Sequence, residues 1–139
     1  VEAKQILLVE DNPDDEFLEL RALRRQGLEE VVVARDGEQA ISLILGDRVS
    51  SRDRSAAGPW LVLLDLKLPK VDGIEVLRAI RSNDRTRDIP VIVISSSCEG
   101  VEVQRCRELG VTHYFTKPLD GEKLVGVLRE AGLLDGAAP

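Results

Sequence analysis

Five short apolar runs, each followed by a stretch of helical periodicity, constrain this chain more than any other feature. The runs are Ile6-Leu7-Leu8-Val9, Val31-Val32-Val33-Ala34, Leu61-Val62-Leu63-Leu64, Val91-Ile92-Val93-Ile94 and the weaker Tyr114-Phe115-Thr116. Continuous runs of branched side chains suit strands of a parallel sheet covered on both faces. Between them, Phe17, Leu20, Leu23 and Leu28 mark a first helix, and Ala40, Leu43 and Ile44 a second. Ile74, Leu77 and Ile80 mark a third, Val101, Cys106 and Leu109 a shorter fourth, and Leu124, Val127, Leu128 and Leu133 a fifth. Asn12-Pro13-Asp14 is a helix start. Gly27, Gly110 and Gly132 stand where a helix wants a left-handed closing residue. Five strand–helix repeats predict a doubly wound α/β domain, and right-handed crossovers make its five strands parallel, in the expected order 2-1-3-4-5. The 139 residues are expected to form one domain, with a core over about 5–132. A polar surface loop is expected over 46–59 and a frayed tail over 135–139.

Several function classes are disfavoured. The formal charge of −6 opposes non-specific binding to nucleic acid or to an anionic membrane, which both need a basic footprint. No apolar run approaches the roughly 18 residues of a membrane span, and the N-terminus has no signal-peptide pattern. Cys98 and Cys106 form neither a metal spacing nor a C-x-x-C motif, so they read as reduced thiols of a cytoplasmic protein. The lone His113 has no second imidazole nearby, and a packing or surface role is expected. Lys67, Arg78, Arg81, Arg85 and Arg87 are expected to form a solvated basic face.

In a doubly wound sheet, ligands sit beyond the carboxyl ends of the strands. Strand 1 ends in Glu10-Asp11, strand 3 in Asp65, strand 4 in Ser95 and strand 5 in Thr116-Lys117-Pro118. The topology alone therefore gathers three carboxylates, a hydroxyl and an ammonium on one rim. Packed carboxylates repel unless a cation neutralises them. Hard oxygen ligands without imidazole or thiolate favour Mg²⁺, with Mn²⁺ or Ca²⁺ as substitutes. Such a constellation suits phosphoryl transfer. Asp65 is the expected nucleophile, since a carboxylate can form an acyl phosphate. The cation, Lys117, and the Ser95 hydroxyl with nearby backbone N–H groups (Ser96 among them) would offset charge on the three phosphoryl oxygens.

Four segments carry a family resemblance. They are Val9-Glu10-Asp11-Asn12, Leu63-Leu64-Asp65-Leu66-Lys67-Leu68-Pro69-Lys70-Val71-Asp72-Gly73, Ile89-Pro90-Val91-Ile92-Val93-Ile94-Ser95, and Lys117-Pro118. Ser95 falls 30 residues after Asp65, and Lys117 falls 22 after Ser95. In this order and spacing they resemble the CheY-like receiver domain of two-component response regulators, over roughly residues 5–130. The wording of the first and last segments looks most like the single-domain regulators paired with cyanobacterial and bacterial phytochrome kinases. The resemblance implies a flavodoxin-like three-layer sandwich whose Asp65 accepts phosphate from a phosphohistidine on a sensor histidine kinase. It implies that Asp11 binds Mg²⁺ directly, Glu10 mainly through water, and Lys67 through its backbone carbonyl. Ser95 takes the place of the switch hydroxyl, Tyr114 that of the switch aromatic, and the Lys117–Pro118 peptide bond is expected to be cis. The surface of helix 4, strand 5 and helix 5 is the implied output face and homodimer interface. Phe17, Leu18 and Leu20 on helix 1 form the implied kinase-docking surface.

Departures from the commonest pattern are small: Ser95 replaces Thr, and Glu10 replaces Asp. Asp72-Gly73 reads as the turn into helix 3 rather than as a ligand. The chain ends after helix 5, so its output is expected to be a protein contact, and the protein a signalling switch that assists its own phosphorylation rather than an enzyme. Two other readings compete: a receiver-like scaffold that docks without phosphorylation, and a Mg²⁺-dependent phosphohydrolase working through an aspartyl phosphate. Against the second, Asp65-Leu66-Lys67 lacks an acid two residues on to serve as general acid.

Overall fold

Ile6–Val9 forms the central strand β1, hydrogen-bonded on one side to β2 (Val31–Ala34) and on the other to β3 (Leu61–Leu64). β4 (Val91–Ser95) pairs with β3, and β5 (Tyr114–Thr116) closes the edge. All pairs are parallel and the order is β2-β1-β3-β4-β5, as the sequence led one to expect. The computed structural model describes residues 5–45, 59–68, 71–96, 100–111 and 113–134. Most of the expected surface loop, the tail over 135–139, Ser97 and Cys98 lie outside the described residues, as does the side chain of Val101.

The five helices are α1 (Pro13–Arg25), α2 (Gly37–Leu45), α3 (Gly73–Ser82), α4 (Gly100–Glu108) and α5 (Gly121–Glu130). Strand side chains alternate between faces, and this divides the core in two. Leu7, Val9, Val62, Leu64, Val91 and Val93 pack with Ala40 and Ile44 of α2, Leu77 and Ile80 of α3, and Cys106 of α4. Ile6, Leu8, Leu61, Leu63, Ile92 and Ile94 pack with Leu23 of α1 and with Leu124 and Leu128 of α5. Each of these Val, Leu and Ile side chains contributes about 1.5–3 kcal/mol by leaving water, so the sheet is a firm base for whatever stands on its rim. Among the described residues no helix is long and apolar enough to cross a membrane.

α1 differs from its expected phase. Phe17 is 62% exposed, while Glu19 is buried together with Leu23. At about 100° per residue, positions 15, 19 and 23 share one helix face and position 17 turns away from it. Leu28 does pack against the core, but it lies beyond the helix end. There Gly27 adopts φ +81° and donates to the Arg24 carbonyl, while Leu28 donates to the Leu23 carbonyl, a Schellman closure. α4 and α5 close in the same way at Gly110 and Gly132. Leu133 likewise falls after α5 rather than on its apolar face.

The expected basic face needs one correction. Lys67, Arg78, Arg85 and Arg87 are exposed, but Arg81 is half-buried. Its guanidinium donates to the carbonyls of Leu109, Arg87 and Ile89, tying the end of α3 to the loops that precede β4 and β5. A planar fork with five donors suits this bracing of three backbone acceptors.

Candidate functional site

The backbone ladder runs one residue past three strands and sets the rim. Glu10 donates its N–H to Ala34 (2.9 Å), Asp65 to Val9 (3.1 Å) and Lys117 to Ser95 (2.9 Å). Each of the three side chains is thus anchored by its own backbone before it contacts anything else. Glu10 is 1% exposed, Asp65 5% and Ser95 0%.

Lys117 ties the rim together. Its Nζ donates to Asp65 Oδ2 at 2.8 Å, to Asp15 Oδ2 at 2.8 Å and to Glu10, whose carboxylate oxygens lie at 3.0 and 3.2 Å. Burial alone would lower the pKa of Lys117, but its bonds to Asp15, Asp65 and Glu10 outweigh that effect and hold the ammonium above its ordinary value. Asp65 Oδ1 accepts from the Lys67 backbone N–H at 3.1 Å, so both oxygens of the central carboxylate are held. The Lys117–Pro118 peptide bond is cis.

Glu10, Asp11 and Asp65 each offer a carboxylate oxygen within 4.8 Å of the others. The donors are all oxygen, two of the acids are buried, and an ammonium already sits against Glu10 and Asp65. This set fits a hard divalent cation such as Mg²⁺. Asp11 is the exposed member, at the mouth of the cleft. The loop after β3 brings Lys67 to the edge of this group, with its side chain exposed.

Ser95 ends β4 opposite Thr116, and its Oγ finds no hydrogen-bond partner among the described residues. Tyr114 lies two residues before Thr116 and so shares its sheet face. Its hydroxyl shares its one proton between the carbonyls of Val103 in α4 (3.3 Å) and Val111 (3.2 Å). Ser96 is exposed beside Ser95. Asp72 caps α3 by accepting from the Ile74 N–H at 3.1 Å. Gly73 stands where a Cβ would meet Leu66 Cα at 2.5 Å and the Asp65 carbonyl oxygen at 2.7 Å. This turn therefore packs directly beneath the central carboxylate.

Two acids of the site escaped the sequence reading. Asp15 is the third carboxylate on Lys117. Glu19, one helical turn further, is 2% exposed; it shares a hydrogen bond with Glu10, and its Oε1 has no partner among the described residues. Burial, then the hydrogen bond with Glu10 and the charge of Glu10, push the Glu19 pKa up to about 9. Burial also raises that of Glu10, opposed by its bonds to Glu19 and Lys117. The i, i+4 spacing of Asp15, Glu19 and Leu23 was the available signal.

A carboxyl group with a raised folded-state pKa contributes stability below its unfolded pKa, and that contribution fades as pH climbs toward the folded value. Glu19→Gln is expected to match the wild type near pH 4 and to exceed it by more than about 1 kcal/mol near pH 9, because the buried wild-type carboxyl is costly to ionise and the amide has no charge to bury. Urea unfolding across that pH range in chelator-containing buffer measures this. Parallel pH curves for the two proteins would contradict it.

A parallel 2-1-3-4-5 sheet with an acid cluster, a lysine and a buried hydroxyl on its carboxyl rim defines a receiver-type site. The chain belongs to the response regulator receiver domain family, whose sequence pattern matches residues 6–129. It is similar to the response regulator Rcp1 of Synechocystis sp. (strain ATCC 27184 / PCC 6803 / Kazusa), with 37% identity over 115 residues covering 82% of this chain and 76% of that one. The Mn²⁺-bound form of Rcp1 superposes with a TM-score of 0.75 at 34% identity, covering 99% of each chain. The bacteriophytochrome response regulator AtBRR is 40% identical with a TM-score of 0.81, covering 99% of each chain. The phosphorylated cyanobacterial phytochrome response regulator RcpA is 36% identical with a TM-score of 0.74, covering 99% of this chain and 98% of that one.

Proposed function

We propose that this protein is the phospho-acceptor of a two-component phosphorelay, with Asp65 as the residue phosphorylated. The observation that carries the reading is the Lys117 ammonium bridging Asp65 and Glu10 beside Asp11. A cationic donor thus lies 2.8 Å from one oxygen of the proposed acceptor, which supports the reading. In the proposed reaction an Asp65 oxygen attacks the phosphorus of a phosphohistidine. The P–N bond breaks, the imidazole nitrogen takes the electron pair and then a proton, and an acyl phosphate remains on Asp65.

Glu10, Asp11, Asp65 and the Lys67 carbonyl are the proposed Mg²⁺ ligands, and the ion when bound supplies charge stabilisation for the phosphoryl oxygens. Lys117 donates to one phosphoryl oxygen, and the Ser95 hydroxyl, with the Ser96 N–H, to another. Tyr114, on the same sheet face as Ser95, follows it inward and alters the α4, β5 and α5 surface. That surface is the proposed contact for an output partner or a second copy of the chain. The exposed Phe17 and Leu18 on α1 are the proposed dock for a sensor histidine kinase, a phytochrome by likeness to AtBRR and RcpA.

Borohydride reduction after treatment with acetyl phosphate tests the assignment, because it converts an aspartyl phosphate to homoserine. Homoserine is expected at position 65. Homoserine at another position, or at none, would overturn the assignment. Lys67 lies next to the acceptor with its side chain in solvent, and its long arm is proposed to shield the acyl phosphate from water. Lys67→Ala is expected to shorten the phosphoryl half-life a few-fold; an unchanged half-life would remove Lys67 from the account.

A further inference from the structure

Asp15 belongs to the site, yet the phosphoryl-transfer chemistry proposed above gives it no task. An ammonium has three N–H donors, and Lys117 directs them to Asp65, Glu10 and Asp15. Glu10 and Asp65 are members of the acid set with Asp11, which a cation would neutralise. Asp15 stands outside that set, and Lys117 is its counter-charge.

Asp15 is also held in place. Asn12 caps α1 by accepting from the backbone N–H groups of Asp14 (2.9 Å) and Asp15 (3.0 Å), which fixes the first turn of the helix. Asp15 and Asp65 touch the same nitrogen, so their oxygens are within two hydrogen-bond lengths of each other. A phosphoryl group carries about −1.5 to −2 charge at neutral pH. Placed on Asp65, it needs a donor from Lys117 and meets a fixed carboxylate across that nitrogen.

We propose that Asp15 competes with the phosphoryl group for Lys117 and thereby weakens the site's hold on phosphoryl ligands. The inference rests on the phospho-acceptor reading. Asp15 would act as a positioning residue through Lys117. Asparagine at this position keeps the shape and an acceptor oxygen but removes the charge.

The test is a fluorine NMR titration with beryllofluoride at saturating Mg²⁺. Asp15→Asn is expected to bind about ten-fold tighter than the wild type, the size of one charge–charge repulsion at a partly exposed site. Asp15→Glu, which restores the charge, is expected to return affinity toward the wild-type value. Asp14→Asn is the control for helix effects, because Asp14 is an exposed acid in the same turn; it is expected to stay within about two-fold of wild type. Equal or weaker binding by Asp15→Asn, with the wild type binding well, would overturn the inference alone. Absence of binding by the wild type, as by Asp65→Asn, would overturn the phospho-acceptor reading and this inference with it.

Discussion

Lys117→Met is expected to slow phosphorylation by at least about a hundred-fold, the usual loss when a preorganised donor to a developing charge is removed. The same substitution is expected to cost about 3 kcal/mol of stability in chelator-containing buffer, because it leaves Glu10, Asp65 and Asp15 without their shared counter-charge. The two losses are separable. Mg²⁺ can neutralise the two buried acids, Glu10 and Asp65, so it is expected to restore most of the stability. It cannot replace the ammonium as a hydrogen-bond donor to the phosphoryl group, so it is expected to restore little of the rate. Urea unfolding with and without Mg²⁺, beside initial rates of phosphorylation, distinguishes them. Equal destabilisation in both buffers would mean that Lys117 stabilises the fold by packing rather than by charge.

Gly73→Ala is expected to be a strongly damaging conservative change beside the site. The added methyl group would lie 2.5 Å from Leu66 Cα and within 2.8 Å of the Asp65 and Leu66 carbonyl oxygens. These are backbone atoms that cannot rotate aside, and the Gly73 N–H already bonds to the Leu66 carbonyl at 3.0 Å. Relief requires moving the β3–α3 loop, and with it the Lys67 N–H that holds Asp65 Oδ1. A stability loss of about 3 kcal/mol or more follows from overpacking of this kind. Phosphorylation is expected to fall as well, because the acceptor oxygen moves. A variant as stable as wild type would show that the loop yields more easily than its contacts imply.

The sheet was legible because its inner strands β1, β3 and β4 are buried on both sides: their sequence is continuous Leu, Ile and Val, and the polar residue at the end of each run marks the rim. Glu10, Asp65 and Ser95 were found by that break in character, and Lys117 by its place after the weak fifth run. Asp15 and Glu19 were not. Both sit in an acidic first half of α1, Asp14-Asp15-Glu16 and then Glu19, where charge on a helix reads by default as solvated surface. Phe17 reinforced the error, because an aromatic residue draws the expected apolar stripe toward itself. Only the phase set by Leu23 and Leu20 separates the two faces. Arg81 was misplaced for a related reason. A guanidinium that braces three carbonyl oxygens looks, in sequence, like any other arginine in a basic stretch. Tyr114 shows the limit in the other direction, since its neighbourhood with Ser95 follows from β4–β5 register and not from spacing along the chain.

The acceptor role proposed for Asp65 requires a cation-dependent gain of a phosphoryl group. Intact-protein mass after incubation with acetyl phosphate, with Mg²⁺ or with chelator, tests it most directly on the wild type and on Asp65→Asn. The wild type is expected to gain one phosphoryl group in Mg²⁺ only, and Asp65→Asn none. An equal gain by Asp65→Asn, or no gain by the wild type in Mg²⁺, would contradict it.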